Sequence, residues 1–224
     1  MVKLRVVCLF ALALCALRAT AHSNLLATVP ATDVEEEVVP VKVGDVLCLD
    51  GTVEPAKKWA KSKKAPKGVV FFVDSTGQHG WALALRDNGN LTWGTTVDIA
   101  AIPNLNANEA LADFNGKQNT QAILAAEGDF PAVAVLETAQ GWYLPSAGQL
   151  RKLTDNLSKV DRTLDRLISN GVQATKFAKG AYWSSSETTD ARAWYVVHTG
   201  ALSNFFGTGY EKHQQYYVRG VIDF

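Results

Sequence analysis

Cysteine usage sets the strongest limit on how this chain can fold. Residues 1–21 have the pattern of a secretory signal peptide, with a basic start, an apolar run of about a dozen residues and the cleavage motif Ala19-Thr20-Ala21. Lipidation at Cys15 is the alternative, but the preceding Leu14 is larger than lipoprotein signals require. After cleavage only Cys48 remains, so no internal disulfide is available and a hydrophobic core must supply the stability.

Charge and hydropathy exclude two classes of partner. The signal peptide holds three of the 22 basic residues and none of the 22 acidic ones, so the exported chain is slightly acidic. No basic field of the kind that binds nucleic acid is expected. No later segment approaches the ~18 apolar residues of a membrane span. Residues 22–40, with an acidic run and prolines, predict a flexible leader, and residues 41–224 predict one domain.

The first half of that domain reads as strands, loops and short helices. Residues 41–50 alternate as a strand that ends at a turn. The Lys-rich stretch 54–67 predicts an exposed loop, either solvated or in contact with an acidic partner. Residues 68–90 predict a hairpin whose first strand is central, because that strand is apolar on both faces. Residues 106–126 predict helix, Asn-Gly break and helix, with Asn119-Thr120 capping the second piece.

A longer helical region follows Pro145. Ser146 and Gln149 fit a capping box, and Pro145 prevents an earlier helix start. Apolar residues at Leu150, Leu153 and Leu157 lie on one face. A second helix is predicted over residues 158–169.

The C-terminal part returns to strands. Residues 193–199 predict one strand, and a Gly- and Phe-rich connection follows it. Residues 216–224 predict a final apolar strand inside the sheet. The run Ser184–Ser186 is interpreted as turn or cap residues that follow a strand.

Several motifs occur in an order that resembles a known group of exported bacterial domains. They are GVVFFVD, HGWALAL, FNGKQNT, WYLPSAGQL, YWSSSE, AWYV and YVRGV. The order is similar to that of the domain of unknown function at the C-terminus of the collagen-like adhesin (Lcl) and to the major paralogous domain, in the version common in Bacteroidota. Both look like the C-type-lectin-like fold shared with formylglycine-generating enzymes.

The resemblance implies an α+β, C-type-lectin-like fold with a mixed, mostly antiparallel sheet and two to four flanking helices. It also assigns structural roles to motif residues and places the three tryptophans among them near the core, with Ser184–Ser186 and Glu187 as nearby acceptors for their indole N–H groups. These motif residues are Trp142, Leu144, Pro145, Ser146, Trp183, Trp194 and Arg219. The sequence departs from the family pattern at Gln149, Gly220 and Asp223.

A ligand-binding site is the functional alternative to a purely structural aromatic cluster. The candidate ligand-binding residues are Trp183, Ser185, Glu187, Phe205, Phe206 and Tyr210. No cofactor is expected, although calcium held by loop oxygens is an alternative that the sequence leaves open.

No complete catalytic set is evident in the sequence. The thiols of formylglycine-generating chemistry are absent after Cys48, which an apolar context predicts to be buried and inert. There is no G-x-S-x-G motif, and His79, His198 and His213 are too widely spaced for a zinc motif.

The leading hypothesis is therefore an exported, non-enzymatic binding domain for a glycan, a matrix polymer or a partner protein. It would act at the cell surface, outside the cell or in the periplasm. The first alternative is a structural or tip subunit of a surface fibre, and the second is an enzyme of unknown class.

Overall fold

The described chain is an α+β protein, as predicted, but its strands form two sheets and not one. The computed structural model describes residues 39–62, 64–200, 203–205 and 209–224. The predicted signal peptide, 1–21, and the predicted leader up to residue 38 lie outside these residues. Val39–Phe224 forms one compact unit.

The described residues contain eleven strands and five α-helices, more helices than predicted. The strands are β1 (Val46–Cys48), β2 (Val53–Glu54), β3 (Pro66–Val73), β4 (Gly80–Ala84), β5 (Gly89–Thr92), β6 (Gly180–Thr189), β7 (Arg192–His198), β8 (Ser203–Phe205), β9 (Tyr210–Glu211), β10 (Gln215–Val218) and β11 (Val221–Asp223). The helices are α1 (Ala56–Ser62), α2 (Ala107–Leu111), α3 (Gly116–Ala125), α4 (Pro131–Ala134) and α5 (Ala147–Ser169), with a 3₁₀ turn at Thr138–Gln140.

The two sheets differ in strand order but share an antiparallel character. The first sheet runs β11-β4-β3-β1-β2, and the second runs β5-β10-β6-β7-β8 with β9 beside β7. The described strand pairs are antiparallel except β10–β6, which is parallel. The β3–β4 hairpin and the central position of β3 confirm the prediction for residues 68–90.

Helix α5 packs against both sheets because one of its faces is apolar along its whole length. The buried residues of that face recur at spacings of three and four: Leu150, Leu153, Leu157, Val160, Leu164 and Leu167. They share one core cluster with Phe71 of β3 and with Tyr182 and Val196 of the second sheet. The predicted break before residue 158 is wrong, since no Gly or Pro interrupts this pattern.

Two local predictions in the first half are wrong. The Lys-rich stretch 54–67 is not only loop, because it contains α1, whose Trp59 is buried and donates its indole N–H to the Lys64 carbonyl at 3.1 Å. Helix α3 begins after Asn115 and not at Asn119-Thr120. Asn119 and Thr120 lie inside that helix, on its buried side.

The predicted final strand, residues 216–224, is divided between the two sheets. β10 lies between β5 and β6 inside the second sheet, whereas β11 is an edge strand of the first. The division occurs at Arg219-Gly220. The prediction of an interior strand is therefore right for β10 and wrong for β11, because the apolar pattern cannot show that the chain passes from one sheet to the other.

Candidate functional site

The predicted Pro-Ser motif is a structural junction at the start of α5. The Ser146 N–H donates to Gln149 Oε1 at 3.0 Å, so Gln149 reaches back to the helix start as predicted. The Ser146 hydroxyl donates to the Asp113 carbonyl at 2.6 Å, and Gln149 Nε2 donates to the Tyr143 hydroxyl at 3.0 Å. All four side chains are buried. The motif thus fixes the helix start against the loop that follows α2.

Asp113 is the centre of a buried polar network that the sequence did not indicate. Its Oδ2 accepts from the Ser186 hydroxyl at 2.5 Å and from Asn119 Nδ2 at 3.0 Å. Its Oδ1 accepts from the Asn115 N–H at 2.9 Å. The network therefore connects α3 to β6 and explains why Asn119 faces inward.

The serine run lies within β6 and not in a turn. Ser184 donates to the Trp194 carbonyl at 2.8 Å, and Ser186 Oγ accepts from the Ala147 N–H at 2.9 Å. Ser185 Oγ accepts from Asn119 at 3.4 Å. The interpretation of residues 184–186 as turn residues is therefore wrong, because all three lie in β6 with buried hydroxyls that are bonded inside the protein. The cap interpretation holds for Ser186 alone, which accepts from the first N–H of α5.

Glu187 forms a buried ion pair with Lys212, and both side chains have no exposed surface. The ammonium also donates to the Val97 carbonyl at 2.7 Å and lies 4.4 Å from the ring centre of Trp93. Glu187 Oε2 accepts from the Ile99 N–H at 3.1 Å. Burial raises the pKa of Glu187, and the Lys212 ammonium opposes that shift. The pair joins β6 to the segment between β9 and β10.

Two of the three predicted core tryptophans are buried, but their partners differ from those predicted. The indole N–H of Trp183 donates to the Leu91 carbonyl at 2.9 Å, and that of Trp194 donates to the Leu105 carbonyl at 3.2 Å. Backbone carbonyls therefore take the place of the expected serine and glutamate side chains. Trp142 is half-buried, with the Lys67 ammonium 5.8 Å from its ring centre.

The predicted structural role of Arg219 is visible where the chain changes sheets. Its guanidinium donates to the carbonyls of Ala84, Leu85 and Thr175 at 2.9, 2.9 and 2.8 Å, and it lies 3.4 Å from Asp87 Oδ1. Burial lowers the pKa of Arg219 and raises that of Asp87. Leu144 and Pro145, which were also predicted to be structural, are buried.

The predicted ligand-binding residues are divided between the interior and the surface. Trp183, Ser185 and Glu187 are at most 1% exposed, so a ligand has no access to them in this conformation. Tyr210 is 43% exposed. Phe205 ends β8, and Phe206 lies outside the described residues. Of the predicted set, Tyr210 is thus the residue that the described surface presents to a partner.

Tyr210 belongs to an aromatic group that we call the tyrosine face, formed by Tyr195, Tyr210 and Tyr216. The ring centre of Tyr210 lies 5.8 Å from that of Tyr195 and 5.8 Å from that of Tyr216. The ring centres of Tyr195 and Tyr216 are 5.1 Å apart. Tyr216 also packs on Trp183, with ring centres 4.5 Å apart. The buried Trp183 therefore supports a group in which Tyr195 is buried, Tyr216 is half-buried and Tyr210 is exposed. Exposed tyrosine rings are enriched in protein interfaces.

Replacing Tyr216 by Phe is expected to reduce the loss of stability at alkaline pH. Burial, and then the neighbouring Tyr195 and Tyr210, raise the pKa of Tyr216 to about 12. The unfolded chain releases this proton near pH ~10. Because the folded state keeps the proton longer, stability falls as the pH rises from about 10 to about 12. Denaturant titrations across this range measure the slope, and a slope that the substitution leaves unchanged contradicts the assignment.

A second aromatic group lies where the β3–β4 hairpin turns, at one end of these two strands. The ring centre of Trp81 lies 4.3 Å from that of Phe72 and 5.6 Å from that of Phe114, which is 41% exposed. Phe72 and Trp81 line a groove of about 320 Å³ together with Phe224, Asp74 and residues around them. Sequence reasoning missed this group because Phe114 comes from the loop between α2 and α3.

The cysteine and the histidines of the described part of the chain do not form a cluster of metal ligands. Cys48 is buried in β1, and burial raises the pKa of its thiol, in agreement with the predicted inert residue. His79 and His213 are exposed, whereas His198 is buried. No group of three or more His, Cys, Asp or Glu residues able to hold a metal occurs among the described residues. None of the helices described has the length and apolarity to cross a bilayer.

Comparisons with known proteins find similarity to two fimbrial proteins. No family profile matches the chain. A candidate fimbrium tip subunit (Fim1C) of Bacteroides ovatus is 29% identical over 98 residues, which are 44% of this chain and 18% of that protein. The crystal structure of a fimbrial protein from Bacteroides ovatus matches with a TM-score of 0.61 and 19% identity, covering 82% of this chain and 49% of that one.

The chain thus spans about half of the solved fimbrial protein and less than a fifth of the curated relative. Neither protein is a collagen-like adhesin, so these matches support similarity to surface proteins without supporting that finer assignment. Over most of its length, this chain shares its fold with a fimbrial protein of Bacteroides ovatus.

Proposed function

We propose that this chain is an exported subunit of a bacterial surface fibre and that it acts through protein–protein contacts, not through catalysis. The observation that carries the proposal is the fold shared with the fimbrial protein, at a TM-score of 0.61 over 82% of this chain. The local similarity to the candidate tip subunit agrees with it. The proposal includes membership of a fibre, a position at the fibre tip and a location at the cell surface.

The buried polar residues bond to one another inside the protein, which supports a structural role for the chain. Among the described residues, every buried side-chain nitrogen and oxygen has a hydrogen-bond partner. Asp113, Glu187 and Arg219 all have internal partners that connect segments distant in sequence. Fully satisfied networks of this kind make a fold rigid and specific, which suits a subunit that must present fixed surfaces.

The tyrosine face is the surface that we assign to a neighbouring subunit. Tyr210 is exposed, and it lies beside the connection that contains Phe205 and Phe206, the loop aromatics predicted to meet a ligand. Tyrosine offers a large apolar ring with a polar end and loses little conformational freedom on binding, so it is well suited to such contacts. Tyr210, the candidate ligand residue that is exposed in the described part of the chain, is thereby proposed to contact protein.

Glycan binding is the competing interpretation, and the comparisons favour the fibre subunit over it. Three of the residues predicted to face a sugar, Trp183, Ser185 and Glu187, are buried. The C-type-lectin-like assignment, the non-enzymatic role and a bound calcium remain predictions that rest on motif order and residue inventory. A glycan array with the purified protein tests this interpretation separately.

Immunogold electron microscopy of the bacterium that produces this chain tests the proposed function. The comparison needs three strains: wild type, a deletion strain, and the deletion strain complemented with the intact gene. We expect gold particles on surface fibres, at their ends for a tip subunit, in the first and third strains alone. Labelling confined to the periplasm or to the medium, with normal fibres in the deletion strain, contradicts the proposal.

A further inference from the structure

A basic groove of about 610 Å³ lies where three separate segments of the chain meet. One wall is the turn that contains residues 42–45, which precedes β1. The second is the beginning of α1, from Pro55 to Lys58, and the third is a face of α5. We call this feature the basic groove.

Six cationic side chains surround the basic groove, and all six are exposed. They are Lys42, Lys57, Lys58, Lys159, Arg162 and Arg166. The last three are spaced three and four residues apart, so they lie on the same face of α5. Within the described residues, none of the six forms an ion pair.

Nearby carboxylates offset only part of the positive charge of the basic groove. Asp165 of α5 pairs with Lys176 at 3.0 Å, and Glu54 lies 3.4 Å from Lys64. Asp45 lines the groove and offsets one of the six positive charges, and its carboxylate accepts from the backbone N–H groups of Lys42 at 2.9 Å and Ala56 at 3.3 Å. The chain as a whole has 22 basic and 22 acidic residues, so this positive charge is a local concentration.

The backbone frame of the basic groove is fixed by internal bonds. Thr163 of α5 donates its hydroxyl proton to the Gly44 carbonyl at 2.6 Å. Gly44 has a φ of +94°, and a Cβ there would lie 3.4 Å from Thr163 Oγ1. Together with the two bonds to Asp45, this contact holds the three segments in place before any partner arrives. A preformed groove lowers the ordering cost of binding.

We propose that the basic groove binds a carboxylate-rich segment of a partner protein. Six unpaired cations around one concavity attract a chain that carries several negative charges. The planar guanidinium groups of Arg162 and Arg166 match carboxylates in geometry. Val43, Pro55 and Ala56 add apolar contact for the rest of a peptide, and the lining contains no aromatic ring on which a sugar would stack.

This inference deepens the proposed function, because it names the chemistry of a partner that a fibre subunit would contact. The two can fail independently. If the chain is found in fibres but binds no acidic peptide, only the proposal for the basic groove is contradicted. If the chain binds acidic peptide through the groove but is absent from fibres, only the proposal of a fibre subunit is contradicted.

Fluorescence anisotropy with a labelled oligoglutamate peptide tests the proposal on the purified protein. A Gly-Ser peptide of equal length is the neutral control, and heparin is the sulfated polysaccharide competitor. The variant Arg162→Gln/Arg166→Gln removes two groove charges. Its matched control, Arg151→Gln/Lys117→Gln, removes two exposed charges outside the groove, including one on the same helix. Circular dichroism confirms that both variants are folded.

We expect the oligoglutamate peptide to bind at low salt, the groove variant to weaken binding about ten-fold and the control variant to change it less than about two-fold. Added salt should weaken the wild-type complex because exposed charges are screened. No binding of oligoglutamate at low salt overturns the proposal, and so does equal loss in both variants. Binding of heparin through the groove without binding of the peptide also overturns it, in favour of a polysaccharide.

Discussion

Replacing Lys212 by Met should lower the free energy of unfolding by about 3–5 kcal/mol, because it leaves the buried Glu187 carboxylate without its counter-ion. Both side chains are fully buried. The substitution also removes the donor to the Val97 carbonyl and the cation beside Trp93. Urea denaturation followed by tryptophan fluorescence measures the change.

The pH dependence of that effect has a defined sign. Burial already raises the pKa of Glu187 above its usual value, and loss of the Lys212 ammonium should raise it further. The folded Lys212→Met variant then binds a proton that the unfolded chain releases near pH ~4.3. Its stability should therefore recover as the pH falls from neutral towards that value.

Two further variants separate a buried charge from a general effect of mutation. The double variant Glu187→Gln/Lys212→Met removes both charges, and we expect it to recover much of the lost stability. Lys117→Met breaks the exposed pair with Asp223, whose side chains are 50% and 44% exposed, and should cost less than about 1 kcal/mol. Equal losses in Lys212→Met and Lys117→Met contradict the account of the buried pair.

Replacing Trp183 by Ala should lower the free energy of unfolding by about 3–5 kcal/mol. The indole is 1% exposed, supports Tyr216 from below and donates to the Leu91 carbonyl at 2.9 Å. Its removal leaves a cavity and takes one hydrogen-bond donor away from that carbonyl. Thermal and urea denaturation of the purified variant provide the measurement.

Tyr210→Ala is the matched comparison, since Tyr210 is the exposed member of the same aromatic group. We expect it to cost about 1 kcal/mol or less, because a surface ring contributes little to the core. If Trp183→Ala is as stable as the wild type, Trp183 is not the internal support that the structure indicates, and its earlier interpretation as a ligand contact gains weight.

Local patterns in the sequence predicted the elements that depend on local interactions. The β3–β4 hairpin follows from the turn residues between its strands. The start of α5 follows from the bond between Ser146 and Gln149, which are three positions apart. The apolar spacing in α5 likewise predicted its buried face, but not its length. The buried face of α5 continues across residue 158, where the sequence carries neither a glycine nor a proline.

Long-range pairing could not be predicted in the same way. Residues 216–224 are apolar throughout, and apolarity does not show that β10 and β11 lie in different sheets. Ser185 and Glu187 looked accessible because polar residues usually are. Their burial depends on Asn119 and Lys212, which are 66 and 25 residues away.

The functional surfaces were predicted only in part, for the same physical reason. The exposed Tyr210 was identified from its Gly-rich surroundings. The Lys-rich stretch suggested an acidic partner, but residues 42, 57 and 159 meet only in the folded chain. Phe114 joins Phe72 and Trp81 by the same kind of distant contact.

Site-specific photo-crosslinking within assembled fibres tests the central claim most directly. A photoreactive amino acid placed at Tyr210 should form a covalent bond with a neighbouring fibre protein, identified by mass spectrometry. The same amino acid at Glu127, which is exposed elsewhere on the surface, should form little or none. If the chain is absent from sheared fibres, or if position 210 crosslinks to no other protein there, this chain is not a fibre subunit that makes contact through its tyrosine face.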